Sequence, residues 1–179
     1  MSWIKTVPYA AATGRLKLLY DRIKGPDDNV DNIMMAHSLR PHTMEGHMHI
    51  YKYVLHHNAN TLPKWFLEAL GVYVSQLNAC SYCVEHHFQG LCRLLKDAAR
   101  TDAMRAAFDA DRPEQAFDGR EQAAMAYARK LTLAPSDILE GDIAALRQAG
   151  LDDGEILEIN QVVSYFNYAN RTVLGLGIN

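Results

Sequence analysis

Two cysteines and a histidine lie close together in the sequence, with a spacing suited to redox chemistry. Cys80 and Cys83 are spaced i,i+3, and His87 follows Cys83 at i,i+4. On an α-helix these spacings place all three side chains on one stripe. Two thiols one turn apart can close a disulfide with little backbone movement, and the first turn of a helix favours the reactive thiolate. An imidazole one turn further on can accept the thiol proton or protonate a leaving oxygen.

Helix geometry predicts that a carboxylate lies beside this stripe. Glu68 lies within the apolar segment WFLEALGVYV (65–74), where an unpaired charge would be costly. If one helix ends near Leu77 and the next begins near Asn78, the two form an antiparallel hairpin, and each rises ~1.5 Å per residue. Glu68 then lies about as far before the turn as His87 lies after it. We therefore expect Glu68 to face the histidine and the cysteines.

Zinc binding is the main alternative chemistry for these residues. The two cysteines and His87 would supply three ligands, and Glu68 or His86 could supply a fourth. Structural zinc sites normally draw on two separated ligand pairs, and the sequence offers no second pair of that type. The pattern therefore favours a redox couple, with neither a metal nor a cofactor. Cys92 points away from Cys83 at about 100° per residue, and we expect it to be a small packed residue.

Helical periodicity dominates the chain, and no convincing strand pattern appears. Thr61 and Asn78 are predicted to cap the two helices of the hairpin. The segment 97–118 is Ala-rich, charged and the least constrained by pattern. Because no linker interrupts the sequence, residues 1–179 are predicted to form a single all-α domain. The predicted helices are Thr13–Ile23, Ile33–Ser38, His42–His56, Thr61–Leu77, Asn78–Leu94, Arg120–Leu133, Glu140–Ala149 and Asp152–Leu174.

Composition excludes several classes of function. The net charge is −3 and basic residues are not clustered, so no nucleic-acid partner is expected. Three cysteines are too few, and odd in number, for the disulfide framework of a secreted protein. The opening segment 1–5 does not resemble a signal peptide, and no apolar stretch approaches the ~18 residues that cross a bilayer. The expected location is the cytoplasm, without a membrane partner.

Five of the eight histidines fall in one segment that does not have the spacing of a metal site. Several of them are separated by i,i+2, which does not place ligands on one face of a helix. We expect these side chains to lie at the surface or at an oligomer contact. They are His42, His47, His49, His56 and His57.

The site residues resemble a known family. Glu68, Cys80, Cys83 and His87 match the E-x11-C-x2-C-x3-H pattern of AhpD-like alkylhydroperoxidases, in the carboxymuconolactone decarboxylase superfamily. The subgroup of peroxidase-related enzymes is the closer match. The segments that carry this resemblance are ATGRLKLLY (12–20), NACSYCVEHH (78–87) and QVVSYFNYANRTVLGLG (161–177).

The resemblance implies an AhpD-like helical bundle that carries its active site in a helical hairpin and forms a homo-oligomer, such as a dimer, trimer or hexamer. Cys83 would attack a small hydroperoxide and become a sulfenic acid, and Cys80 would resolve it as a disulfide. Glu68 and His87 would relay protons. An external dithiol or thiol protein would then reduce the enzyme. The helix dipole taken alone favours Cys80 as the thiolate, because Cys80 is nearer the helix start.

One position departs from the pattern of the namesake enzyme. Tyr82 stands where that enzyme has a histidine that assists the proton relay, and tyrosine is a poor base near neutral pH. His86 could substitute for it, but it lies about 100° around the helix from His87 and is expected at the surface. The resemblance also implies that the aromatic and amide residues 165–171 pack against the cysteine hairpin and line the pocket.

Other functions remain open at this point. The same cysteine pair could serve a general disulfide reductase or a redox sensor that does not turn over peroxide. A lactone decarboxylase, like other members of the superfamily, would leave Cys80 and Cys83 unexplained. A helical interaction module without enzymatic activity is the remaining alternative.

Overall fold

The structure, a computed structural model, describes residues 2–179 and contains no β-strand within that range. The predicted all-α fold is therefore confirmed. No helix among these residues is both long enough and apolar enough to cross a bilayer. The described part of the chain contains nine α-helices: α1 (Gly14–Ile23), α2 (Asn32–Ala36), α3 (Pro41–Tyr51), α4 (Lys64–Leu77), α5 (Ser81–Leu95), α6 (Ala98–Asp109), α7 (Gly119–Leu133), α8 (Glu140–Gln148) and α9 (Asp153–Gly175).

Helix α4 is the centre of the fold. Its residues from Phe66 to Ser75 are all buried, as expected for a helix that is apolar on every side. It packs against α5, α7 and α9. A Cβ atom on Gly71 would overlap the ring of Phe166, so glycine at this position lets α9 approach α4 closely. This close approach determines where the ring of Phe166 lies along the cysteine hairpin.

The turn of the hairpin differs from the prediction. Asn78 ends α4 and Ala79 adopts a positive φ of 55°, so α5 begins only at Ser81, with Cys80 in the N-cap position. The backbone N–H of Cys80 donates to the carbonyl of Ser75 at 2.9 Å. The expectation that Asn78 caps α5 is therefore wrong.

The side chain of Asn78 binds α9 instead of capping α5. Its amide nitrogen lies 3.0 Å from the Oδ1 atoms of both Asn167 and Asn170. The Nδ2 atom of Asn170 in turn donates to the hydroxyl of Ser75 at 3.1 Å, and Asn170 is fully buried. We call these four residues the amide clamp. It ties the turn before the cysteines to the last helix.

Two further expectations need correction. Thr61 does not cap α4, which begins at Lys64, because Glu158 of α9 accepts its backbone N–H at 2.8 Å and its hydroxyl at 3.1 Å. The segment 97–118 is also more regular than its pattern suggested. It contains α6, where the side chain of Asp97 caps the first turn by accepting the N–H of Arg100 at 3.1 Å.

The segment that contains the histidines carries an irregularity next to the site. Helix α3 runs without a break into a π-helical turn, Lys52–His56. π-helical turns inside α-helices are rare and often lie at functional sites. This turn brings Tyr51 and His56 together, with 4.7 Å between their ring centroids.

Candidate active site

The cysteine pair lies at the start of α5, at the bottom of a cavity. Cys80 and Cys83 are joined by a disulfide, with their Cα atoms 5.4 Å apart. Cys80 is fully buried, and it packs with Cys83, Val173 and Ile178 in a small apolar cluster. Only Cys83, which is 5% exposed, lines the cavity. A molecule in the cavity can therefore reach one sulfur of the pair but not the other.

Glu68 and His87 meet across the hairpin, as the spacing argument predicted. The Nδ1 atom of His87 lies 2.8 Å from Oε2 of Glu68, and their side chains are 12% and 6% exposed. A neutral imidazole that donates Nδ1–H to the carboxylate presents Nε2 as a proton acceptor. A histidine and the carboxylate that orients it therefore lie one helical turn from Cys83, an arrangement that can activate a thiol.

The cavity has a volume of about 260 Å³ and is bounded by α1, α2, α3, α5 and α9. Its walls are mostly apolar or aromatic. As the resemblance implied, residues of α9 line it and pack against the hairpin. The lining residues are Ile23, Asp31, Ile33, Met34, His47, Met48, Tyr51, Tyr82, Cys83, His86, His87, Tyr165, Phe166, Ala169 and Asn170.

Aromatic rings surround the imidazole of His87. The edge of Phe166 packs against it with 4.6 Å between ring centroids, and Tyr51 lies 6.4 Å away. Burial, with a contribution from the nearby carboxylate of Glu68, raises the pKa of Tyr51 to about 12. The phenol therefore remains protonated and can act as a hydrogen-bond donor near neutral pH.

No sequence pattern indicated that Tyr51 and His56 lie beside the site. Burial lowers the pKa of His56, although Glu68 opposes the effect, and the Nε2 atom of His56 has no hydrogen-bond partner. Only the π-helical turn brings these two rings together. Helical periodicity assumes a uniform α-helix, so it cannot reveal this contact.

The histidines of residues 42–57 differ in burial. His42, His49 and His57 are exposed, as predicted. His47 is only 1% exposed, so its predicted surface position is wrong. Its Nε2 atom lies 3.1 Å from the hydroxyl of Tyr165, and its Nδ1 atom has no hydrogen-bond partner. Burial, assisted by the neighbouring His37, lowers the pKa of His47 to about 4.

Tyr82 and His86 lie at the mouth of the cavity. The two rings are nearly parallel, with centroids 6.3 Å apart. Burial raises the pKa of Tyr82, so this residue cannot serve as the base that a histidine would provide. His86 is exposed, as predicted, and desolvation together with His87 lowers its pKa.

The remaining candidates lie outside the cavity. Cys92 is half-buried on α5, and its thiol is free. Within residues 2–179, no group of three or more His, Cys, Asp or Glu side chains is arranged to hold a metal ion.

Comparisons with known proteins establish the fold. No family model matches the sequence. The uncharacterized protein YdfG of Bacillus subtilis (strain 168) is 21% identical over 141 residues, which cover 79% of this chain and 91% of that protein.

Two crystal structures resemble the chain over most of its length. The first is an uncharacterized peroxidase-related protein from Ralstonia eutropha JMP134 with the alkylhydroperoxidase AhpD core. It has a TM-score of 0.84 at 22% identity, covering 99% of this chain and 91% of that one. The second is an uncharacterized peroxidase-related protein from Silicibacter sp. TM1040. It has a TM-score of 0.75 at 23% identity, covering 92% of this chain and 81% of that one. The chain therefore has the fold of the alkylhydroperoxidase AhpD core.

Proposed function

We propose that this protein is a thiol-dependent peroxidase that reduces small organic hydroperoxides through the Cys80–Cys83 couple. One observation carries the proposal. Cys83 is bonded to a buried cysteine, lines a cavity, and lies one helical turn from a histidine that is oriented by Glu68. The description of both structural relatives as peroxidase-related supports the same function.

The accessibility of the two sulfurs favours Cys83 as the attacking thiol. The helix dipole favours a thiolate at Cys80, which lies nearer the helix start. Cys80 is nevertheless 0% exposed and does not line the cavity, so a substrate cannot reach it. Cys83 therefore attacks the hydroperoxide, and Cys80 resolves the product.

The first step transfers one oxygen atom to sulfur. His87 takes the thiol proton on Nε2, and the Cys83 thiolate attacks the terminal oxygen of ROOH. An S–O bond forms, the O–O bond breaks, and the alkoxide leaves with the proton that His87 returns. The products are ROH and Cys83 sulfenic acid. Glu68 stabilises the imidazolium that forms between the two proton transfers.

The second step restores the disulfide, and a third reduces it. The thiol of Cys80 attacks the sulfur of Cys83, and water leaves as the S–S bond forms. An external dithiol then supplies two electrons and two protons. Because only Cys83 is accessible, the reductant must attack that sulfur from the cavity. A small dithiol, or a thiol on a narrow segment of a protein, satisfies this requirement.

The same burial weighs against a general disulfide reductase. The disulfide of a folded protein cannot reach a sulfur that lies 5% exposed at the bottom of a cavity. A lactone decarboxylase would leave the cysteine couple without a role. No contact of the described residues favours either alternative.

The proposal can be tested by oxidation and turnover together. The reduced protein is treated with one equivalent of cumene hydroperoxide, and its disulfides are mapped by mass spectrometry. Turnover of the same hydroperoxide is then followed with dithiothreitol. We expect a Cys80–Cys83 disulfide, release of cumyl alcohol and sustained turnover, all unchanged in Cys92→Ser. Thiols that stay free in the presence of hydroperoxide would refute the function.

A further inference from the structure

The cavity has a charge pattern that the proposed chemistry does not require. Among the residues described, no Lys or Arg side chain lines it. The carboxylate of Asp31 lies at its wall, and Glu68 lies close enough to act on Tyr51 and Tyr165. Arg93 is a cation that also acts on Tyr51, but it does so from outside the lining. An anion entering the cavity would therefore lose hydration and meet carboxylates without gaining a positive partner.

The histidines of the cavity do not alter this pattern near neutral pH. His47 has a pKa of about 4, and desolvation also lowers the pKa of His86. Their rings are thus predominantly neutral. His87 is bound to the carboxylate of Glu68, so a positive charge on it would be neutralised by that partner.

His47 and Tyr165 form a second polar site in the cavity, distinct from the Glu68–His87 pair. They are 1% and 5% exposed, and both line the cavity. The Nε2 atom of His47 is hydrogen-bonded to the hydroxyl of Tyr165 at 3.1 Å, whereas Nδ1 has no partner. Buried polar atoms are normally paired, so a polar group of a ligand bound at this pair would complete its hydrogen bonding.

The pair offers the same groups whichever tautomer it adopts. If the phenol donates to Nε2, then Nδ1–H is the free donor and the phenolic oxygen can still accept. If Nε2–H donates to the phenol, then the phenolic O–H is the free donor and Nδ1 is the acceptor. In both cases one donor and one acceptor remain for an uncharged polar group.

The rest of the wall favours an apolar body of limited size. Ile33, Met34, Met48 and Phe166 contribute apolar surface. The volume of about 260 Å³ lies just below the range of typical ligand pockets, which span roughly 300–1,000 Å³. A molecule with a single aromatic ring fits this description better than a long-chain lipid.

We propose that the cavity selects small uncharged organic hydroperoxides, and that the His47–Tyr165 pair hydrogen-bonds a polar group on their organic part. The inference rests on the proposed function for the hydroperoxide itself. The preferences for charge and for hydrogen bonding come from the cavity alone. They can therefore be measured with the alcohols that the reaction would release, without any turnover.

The charge preference is tested with a matched pair of such alcohols. Methyl 4-(2-hydroxypropan-2-yl)benzoate and the corresponding free benzoate differ only in the ester, which removes the charge. Binding of each to the oxidised wild-type protein is measured by calorimetry at pH 8. We expect the ester to bind at least about tenfold more tightly. Equal or tighter binding of the benzoate, or no saturable binding of either compound, would overturn the inference.

The role of the pair is tested with the ester and its 4-ethyl analogue, which lacks the carbonyl group. Wild type should bind the ester about fivefold more tightly. Tyr165→Phe should lose this preference, because the phenol either donates the hydrogen bond or holds the ring that donates it. Tyr127→Phe is the matched control, since Tyr127 is also 5% exposed and hydrogen-bonded through its hydroxyl but does not line the cavity. A preference that persists in folded Tyr165→Phe would overturn the assignment.

The two proposals can fail separately. Absence of cumene hydroperoxide turnover, with the ester still preferred, would remove the peroxidase and leave the binding preference standing. Sustained turnover together with tighter binding of the benzoate would leave the peroxidase standing and remove the binding preference.

Discussion

Two walls of one cavity differ in how directly the sequence encodes them. The α4–α5 hairpin supplies Cys83, His87 and Glu68, all within a single local pattern. The opposite wall, from α3 and α9, supplies His47 and Tyr165, which are far apart in the chain and joined by one hydrogen bond. We call these the reaction wall and the recognition wall. The difference indicates that local spacing positions the residues of the reaction wall, whereas tertiary packing positions those of the recognition wall.

The largest expected effect is on the reaction wall. Cys83→Ser should lower kcat/KM for cumene hydroperoxide by at least ~10³-fold, because the alcohol is not a nucleophile at its ordinary pKa. Cys80→Ser should instead accumulate Cys83 sulfenic acid, which a dimedone adduct would reveal. Cys92→Ser is the control for loss of a thiol. Turnover that persists in Cys83→Ser would show that the reaction does not take place at this wall.

Glu68→Gln should have the next largest effect, lowering kcat by about 10²-fold. The amide can still fill the space of the carboxylate, but it cannot stabilise an imidazolium on His87. The pH profile of kcat should also change, whereas a purely structural role would leave its shape intact. Exposed Glu114→Gln is the control. Equal kcat values and pH profiles in the two variants would rule out Glu68 as a proton-relay residue.

Gly71→Ala tests the packing that joins the two walls. The added methyl group would overlap Phe166, whose ring packs against His87, so the free energy of unfolding should fall by about 1–3 kcal/mol. Urea unfolding measures this change. Gly141→Ala on α8 meets open space and should be neutral or slightly stabilising. A second substitution, Phe166→Leu, should recover part of the loss, and failure to do so would argue against the overlap.

The smallest expected effect is a pH dependence that arises in the recognition wall. His47 has a pKa of about 4 when folded and 6.5 ordinarily, so between these values the unfolded chain binds a proton that the folded chain does not. Stability should therefore fall as the pH drops from 6.5 to 4. His37 and His56, whose pKa values are also lowered, act in the same direction.

Replacing His47 should flatten this dependence. In His47→Gln the loss of unfolding free energy between pH 7 and pH 4.5 should be smaller than in wild type by about 1–2 kcal/mol. Urea unfolding at the two pH values measures the difference. Exposed His57→Gln should behave as wild type does. Parallel losses in wild type and His47→Gln would show that the buried ring does not carry the effect.

Local pattern was sufficient for every α-helix except α6 and for the contact between Glu68 and His87. Both depend on regular rises and on positions counted from one turn. The cap at Asn78 was mispredicted because an amide can bind any nearby partner, and its partners lie on α9. The position of His47 was mispredicted for a related reason. Which face of α3 is buried depends on the packing of α9, and no spacing within α3 records it.

The surroundings of Tyr51 could not be predicted either, because the prediction assumed regular α-helical geometry. The π-helical turn after α3 shifts the phase of the helix, so the contact between Tyr51 and His56 does not follow from an α-helical repeat. Helix α6 was missed because its Ala-rich, charged sequence has little amphipathic pattern. Tertiary contacts stabilise this helix, and its sequence periodicity does not reveal them.

The amide clamp has a consequence for motion during the proposed redox cycle. Asn78, Asn167, Asn170 and Ser75 anchor the backbone immediately before Cys80 to the longest helix of the described chain. Opening this segment would leave the buried amide of Asn170 without its hydrogen-bond partners, which is costly. The two sulfurs must therefore separate and rejoin by rotation about side-chain bonds, without local unfolding. Backbone amide hydrogen exchange at the hairpin would then be nearly the same in the oxidised and reduced protein.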